Sequence, residues 1–500
     1  MTALSTPAYQ ELAARQRRLY RLLHLQAIAS WDQAANMPPK GNEARGEALS
    51  ELATLLHRLR TDAAQGELIR RAHDEALDDD QRANLREIER QWHLAVAVPE
   101  ALVEAQVLAA SRCEHAWRTQ RRANDWAGFL ANFREVLRLA REEARILSAS
   151  GGLAPYDALM DRFEPGMTSA EVDRIFGALR SWLPGLIDAV IERQAREAVV
   201  SPAGPFPKAA QRALSLEIMK RMGFDFEAGR LDESAHPFSG GVPEDVRLTT
   251  RYSEDDFLQS LLGTIHETGH ARYEQNLPAA WRGQPVAQAR SMGIHESQSL
   301  SFEMQIARSP AFAGLLSPLL VQHFGAQPAF APDNLARLLT RVKRSLVRVD
   351  ADEVTYPAHV LLRYEIERGL IEGAFEAEAI PQLWDRGMND LLGLDTRGNY
   401  SQGPLQDIHW AGGSFGYFPS YTLGAMYAAQ WFASIRRETP DLDARMAGGD
   451  FGAAFGWLER HVWQQASRWP TRELVVKASG GPLDPSHYEA HLRRRYLGEG

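Results

Sequence analysis

His266, Glu267 and His270 spell out the pattern H-E-x-x-H within a chain of 500 residues that holds 15 histidines. Histidines four residues apart share one face of a helix, so both imidazoles can reach a single cation. A carboxylate beside the first histidine then lies next to that cation, where it can take a proton from an attacking water. The same five residues can also arise by accident in a buried helix whose histidines only hydrogen-bond in the core. The flanking residues decide between the two.

The flanks favour a helix. Ser253 followed by Glu254, Asp255 and Asp256 offers an N-cap, an S-x-x-D capping box and negative charge near the positive helix end. Phe257, Leu258, Leu261, Leu262 and Ile265 recur at helical spacing, and Pro278 limits the run. Gly263 and Gly269 each cost about 1 kcal/mol relative to alanine in a helix interior, a cost that close packing beside a metal would justify. The next candidate ligand is Glu296, in a second helix-like stretch over 291–308 whose apolar positions include Met292, Leu300, Phe302, Met304 and Ile306 and which Pro310 closes. Two histidines from one helix and a glutamate from a later one form the ligand set of thermolysin-like zinc peptidases, which leaves one position open for water or substrate. His295 and Glu303 are placed to orient the ligands.

Around these two helices the chain reads as mostly α, with a small antiparallel sheet beside the H-E-x-x-H helix. The first ~145 residues are helix after helix, rich in Ala, Leu, Arg and Glu. Breaks at 148–155 and 201–207 punctuate the chain, and between them Thr168 or Ser169 caps a helix that runs to about 197. This suggests an N-terminal helical subdomain over 1–150 and a catalytic region over 151–500, the two forming one continuous unit. Alternation of Val246, Leu248 and Thr250 against Arg247 and Thr249 predicts a short edge strand. A glycine-rich loop occupies 393–419 before helices resume. Charge is interspersed, 56 basic against 65 acidic residues for a net −9, which argues against nucleic acid as a partner. The short basic cluster from Arg15 to Arg18 reads as a solvated helix face. Cys113 is the only cysteine, so an intrachain disulfide and a thiolate metal cluster are both excluded. With no signal-peptide pattern and no apolar run of about 18 residues, the expected setting is the cytoplasm, away from membranes.

Six motifs in order resemble those of the carboxypeptidase Taq (M32) family of zinc carboxypeptidases. His236-Pro237-Phe238 matches H-P-F, and Asp245 to Thr249 matches D-x-R-x-T. H-E-x-x-H at His266 and H-E-S-Q at His295 follow. Val347 to Asp352 fits I-R-x-x-A-D with Val in place of Ile, and Gly403 to Trp410 fits G-x-x-Q-D-x-H-W. Further similarity around Trp31, Tyr156 and Phe415 extends the likeness over nearly the whole chain. It implies a helical peptidase with a central substrate groove that admits flexible peptides, one Zn2+ per subunit held by His266, His270 and Glu296, and a homodimer. Co2+ or Mn2+ suits the same nitrogen and oxygen donors.

A carboxypeptidase must grip a terminal carboxylate, and arginine does so with two parallel hydrogen bonds. The likeness points to Arg348. Arg247 is the alternative, although Asp245 two residues earlier can pair with it, and Gln406 joins these three as a substrate-binding candidate. Glu267 is the expected general base. Tyr421, His409 and His236 are candidates for stabilising the developing oxyanion, with Tyr417 behind them. The partners implied are peptides with a free C-terminal carboxylate. Competing readings are a zinc oligopeptidase that cuts internally and a helical scaffold that binds peptides without cleaving them.

Overall fold

The alanine- and leucine-rich stretches between the glycine–proline breaks become helices, which account for 69 % of the computed structural model. The structure describes residues 6–234 and 237–499. The expected joint near residue 150 is a left-handed C-cap: helix Trp126–Gly151 ends on Gly152 at φ 68°, and Pro155 starts the next. Thr168 caps helix Ser169–Gln194 by accepting the N–H of Glu171. The main apolar core draws on residues from Leu102 to Tyr496, while Ala8 to Ile88 form a smaller cluster around the first helix, Pro7–Ala35. Among the described residues no single helix is long and apolar enough to cross a membrane.

The sheet has three strands: β1 (Gly229–Glu233), β2 (Ser239–Val242) and β3 (Asp245–Thr250), in the order β1–β3–β2. β2 and β3 form a hairpin, but β1 runs parallel to β3. The sheet is therefore mixed where an antiparallel one was expected, and β3 is central where an edge was expected. The reason is topological. Parallel neighbours need a long connection, and here β2 is itself part of the link from β1 to β3, which carries the chain across the sheet. Leu231, Val246 and Leu248 pack on Ala271, so the sheet backs the helix that carries both histidines.

That helix spans Phe257–Gln275 and is capped by Asp256, whose carboxylate accepts the N–H of Leu258 at 2.8 Å. The expected cap, Ser253, instead forms a bridge with Asp256. Phe257 inserts among Phe206, Phe324 and Phe330, and this aromatic cluster sets where the helix begins. The second stretch is helix Met292–Leu300, capped by Ser291, and it widens into π-helical turns over Ser301–Ala307. A third helix, Pro419–Glu438, lies along it.

Two glycines allow these three helices to meet backbone to backbone. A Cβ on Gly269 would lie 2.5 Å from the carbonyl oxygen of Gln298, and one on Gly424 would lie 2.7 Å from Cβ of Glu296. Gly263 differs, because nothing lies within 4 Å of where its Cβ would be; it faces a cavity. The two glycines of the Phe257–Gln275 helix should therefore respond oppositely to alanine. Gly269→Ala should cost about 1–3 kcal/mol through overpacking. Gly263→Ala should gain up to about 1 kcal/mol from helix propensity. Urea-unfolding midpoints measure both, and equal shifts would contradict the packing described.

Candidate active site

The two imidazoles project from one helix face with ring centroids 5.0 Å apart, and the helix Met292–Leu300 delivers Glu296 between them. One donor atom from each of His266, His270 and Glu296 lies within 4.8 Å of the other two. Oε2 of Glu296 is 3.4 Å from Nε2 of His270 and 3.8 Å from Nε2 of His266. Ligands at about 2.0–2.2 Å from a tetrahedral ion stand ~3.3–3.6 Å apart, so the two distances from Glu296 are close to those around a divalent cation.

Each histidine is held from behind. Nδ1 of His266 is 2.9 Å from Oε2 of Glu303, whose other oxygen accepts from Arg308 at 2.8 Å. Glu303 lies in the π-helical turns, a widening that recurs at functional sites. Nδ1 of His270 is 2.6 Å from Nδ1 of His295, and Nε2 of His295 is 2.8 Å from Oε1 of Glu274. A lone pair on Nε2 of His270 facing the cation requires its proton on Nδ1. His295 then accepts at Nδ1 and donates from Nε2 to Glu274, so one coordination choice orders the whole chain. The sequence reading named His295 and Glu303 but passed over Glu274. The signal was present, since Glu274 lies four residues beyond His270 on the same face.

The electrostatics favour a cation. Burial opposes protonation of His266, but the carboxylates of Glu296, Glu303 and Glu267 outweigh it and push its pKa up to about 10. Burial likewise acts to raise Glu296, yet His266 and His270 hold it below the usual range. A proton therefore competes for the same negative potential that binds metal. Among the described residues no hydrogen bond or ion pair engages the Glu267 carboxylate, which lies on the cavity wall beside His266.

That cavity, of about 770 Å³, also has Arg348 and Tyr421 in its lining. Arg348 opens the short turn Arg348–Asp350 and is 5 % exposed. Its guanidinium donates to Oδ1 of Asp407 from Nε at 3.1 Å and Nη2 at 2.8 Å, donates to the Tyr356 hydroxyl, and lies 4.9 Å over the Tyr421 ring. Arg363, fully buried, donates to the other oxygen of Asp407 at 2.6 Å. Two guanidinium groups share one carboxylate, which leaves a net positive charge at the cavity wall. Asp407 was quoted in the sequence motif without a role, and Tyr356 and Arg363 were not singled out. Their spacing of seven on helix Tyr356–Glu372 puts them on one face, which was the available signal.

The other expected substrate contacts lie elsewhere. Gln406 accepts the backbone N–H of Arg348 at 2.7 Å and donates to the carbonyls of Leu346 and Gln402. Its amide is thus spent on holding the Arg348 segment, and it is not part of the cavity lining. Arg247 pairs with Asp245 at 2.7 Å and lies 4.8 Å over the Trp31 ring, on the sheet face turned away from the metal helix. His236 lies outside the described residues.

His409 and Tyr421 do meet, with Nε2 3.3 Å from the hydroxyl. Burial, then the charge of Arg348, push His409 down to about 4, so its ring is neutral near pH 7. Burial likewise raises Tyr421 and keeps its proton on. The loop carrying His409 is fastened by Glu367, which accepts from Nε1 of Trp410 at 2.9 Å and from the N–H of Gly416 at 3.0 Å.

Known proteins match this chain over nearly its whole length. The family model described as carboxypeptidase Taq (M32) metallopeptidase matches residues 11–496. Thermostable carboxypeptidase 1 of Thermus thermophilus is 38 % identical over 98 % of both chains, and carboxypeptidase 1 of Bacillus subtilis is 34 % identical over 94 % of both. The solved structure of Trypanosoma cruzi metallocarboxypeptidase 1 is 48 % identical and superposes with a TM-score of 0.97, covering 98 % of this chain and 100 % of that one. The M32 carboxypeptidase of Deinococcus radiodurans gives 0.93 at 32 % identity, over 98 % and 99 % of the two chains. With a family model matched over residues 11–496 and relatives alike in sequence and fold, the chain belongs to the carboxypeptidase Taq (M32) family of metallopeptidases.

Proposed function

We propose that this metallocarboxypeptidase uses Zn2+ to release single residues from the C-termini of flexible peptides, with Glu267 as general base. The observation that carries the reading is the convergence on one cavity of His266 and Glu296, two of the three clustered donors, with the Glu267 carboxylate and the Arg348 guanidinium. His266, His270 and Glu296 would hold the ion, which when bound would lower the pKa of water to about 7 and polarise a carbonyl. Glu267 takes the proton of the attacking water and passes it to the leaving amine. Arg348 binds the terminal carboxylate and so places the last peptide bond over Glu267. Asp407 and Gln406 hold Arg348, its side chain and its backbone respectively. Tyr421, kept neutral and steadied by His409, donates to the developing oxyanion. The family likeness further supports a homodimer, and the lone buried Cys113 suits a cytoplasmic setting.

Glu267→Gln should lower kcat by about 10²–10⁴-fold and leave zinc content at one per chain. Metal analysis beside steady-state kinetics tests this, and near-normal turnover would remove Glu267 as the base. Arg348→Ala should lower kcat/KM on free-carboxylate peptides by about 10- to 100-fold, the worth of a charged hydrogen-bond pair. The same variant should barely change the low rate on peptides with an amidated C-terminus. Mass spectrometry of paired digests reads both rates. Equal cleavage of free and amidated substrates by the unaltered protein would favour an internally cutting peptidase, and binding without shortening would favour a scaffold.

A further inference from the structure

Glu164 is 1 % exposed and stands outside the cavity, in the segment after helix Pro155–Met160. Its Oε1 accepts the backbone N–H of Gly293 and the hydroxyl of Ser420, the latter at 2.7 Å. Gly293 is in the first turn of helix Met292–Leu300, and Ser420 is in the first turn of helix Pro419–Glu438. One oxygen thus ties together the N-termini of the helices that carry Glu296 and Tyr421. The adjoining backbone reinforces the junction, because the N–H of Met292 donates to the carbonyl of Phe163 at 2.9 Å. A Cβ on Gly293 would approach Oε1 of Glu164 to 2.9 Å, so a larger residue there would displace the carboxylate.

The contact lies within one turn of the chemistry on both helices. Glu296 follows Gly293 by three residues, Tyr421 adjoins Ser420, and Gly424 presses on Cβ of Glu296. Burial pushes the Glu164 carboxyl up to about 7, with the bonds from Ser420 and Gly293 acting against it. A negative charge is favourable at a helix N-terminus, and here two helix termini point at one carboxylate.

We propose that Glu164 is a positioning residue that sets the separation of the Glu296 carboxylate and the Tyr421 hydroxyl by pinning the first turns of their helices to each other. This rests on the reading above of Glu296 as a ligand and Tyr421 as a donor to the oxyanion. An oxygen at the end of a side chain of this length is what the junction requires. Glutamine keeps that oxygen, aspartate falls one methylene short, and alanine lacks it.

The test uses the full chain carrying Glu164→Gln, Glu164→Asp, Glu164→Ala or Glu296→Ala, each held well below its unfolding temperature. Competition with a chromophoric chelator gives the Kd for Zn2+, and a free-carboxylate peptide gives kcat and KM. Glu164→Asp and Glu164→Ala should weaken zinc binding by about 10- to 100-fold, as lost support of a ligand does, and lower kcat by about 10-fold or more while KM changes little. Glu164→Gln should stay within about threefold of the unaltered protein in both. The aspartate variant keeps the result interpretable should the alanine variant fold poorly. Zinc binding and kcat at unaltered levels in Glu164→Asp would overturn the proposal, as would a glutamine variant as impaired as the aspartate one. Zinc bound tightly by Glu296→Ala would overturn the ligand reading instead, so the two failures are distinguishable.

Discussion

Everything at this site depends on two helices touching without side chains between them. Gly269 and the carbonyl of Gln298 are close enough that a methyl group would not fit. That contact brings a glutamate from one helix within reach of two histidines on the other. Were the helices at the usual 8–10 Å separation, Glu296 would reach the pair only by extending away from its support. The second contact, Gly424 against Glu296, holds the same carboxylate from the opposite side. The precision of the triad therefore comes from close-packed backbone, which is stiffer than any arrangement of long side chains.

Charge is organised around the contact in two opposed regions. On the metal side, carboxylates outnumber cations, and the shared negative potential raises His266 while the histidines lower Glu296. On the recognition side, Arg348 and Arg363 share Asp407, leaving an excess positive charge. The proposed binding mode sets a peptide's scissile carbonyl against the first region and its terminal carboxylate against the second, so that both would align it. His409 lies next to the positive region, and burial together with Arg348 keeps it uncharged and suited to a hydrogen-bonding role.

The parts of this arrangement that were legible in the sequence are those governed by local periodicity and punctuation. The motif helix, the helical stretch after Ser291 that carries the third candidate donor, the joint at Gly152 and the loop before Tyr421 all follow from 3.6-residue recurrence, caps and glycine placement. What escaped depends on distant partners. The sense of β1 relative to β3 is decided by how the chain crosses the sheet, which residue spacing along β3 does not encode. Ser253 and Asp256 are both competent caps, and the choice falls to aromatic packing on Phe257. Arg247 and Arg348 look alike in a motif; one is spent on Asp245 and Trp31, and the other faces the cavity. Buried carboxylates such as Glu164 and Glu367 bond to groups far along the chain, and no local pattern announces them.

The two halves of the cavity are built by different means. The metal half is locked by interlocking helices, whereas Arg348 sits on a short turn fastened by Gln406, and His409, behind Tyr421, sits on a loop fastened by Glu367. Loops accept insertion and exchange more readily than packed helices do. An exchange in the turn or the loop can therefore reshape the surroundings of Arg348 and His409 while the packed helices that hold the three donors stay untouched.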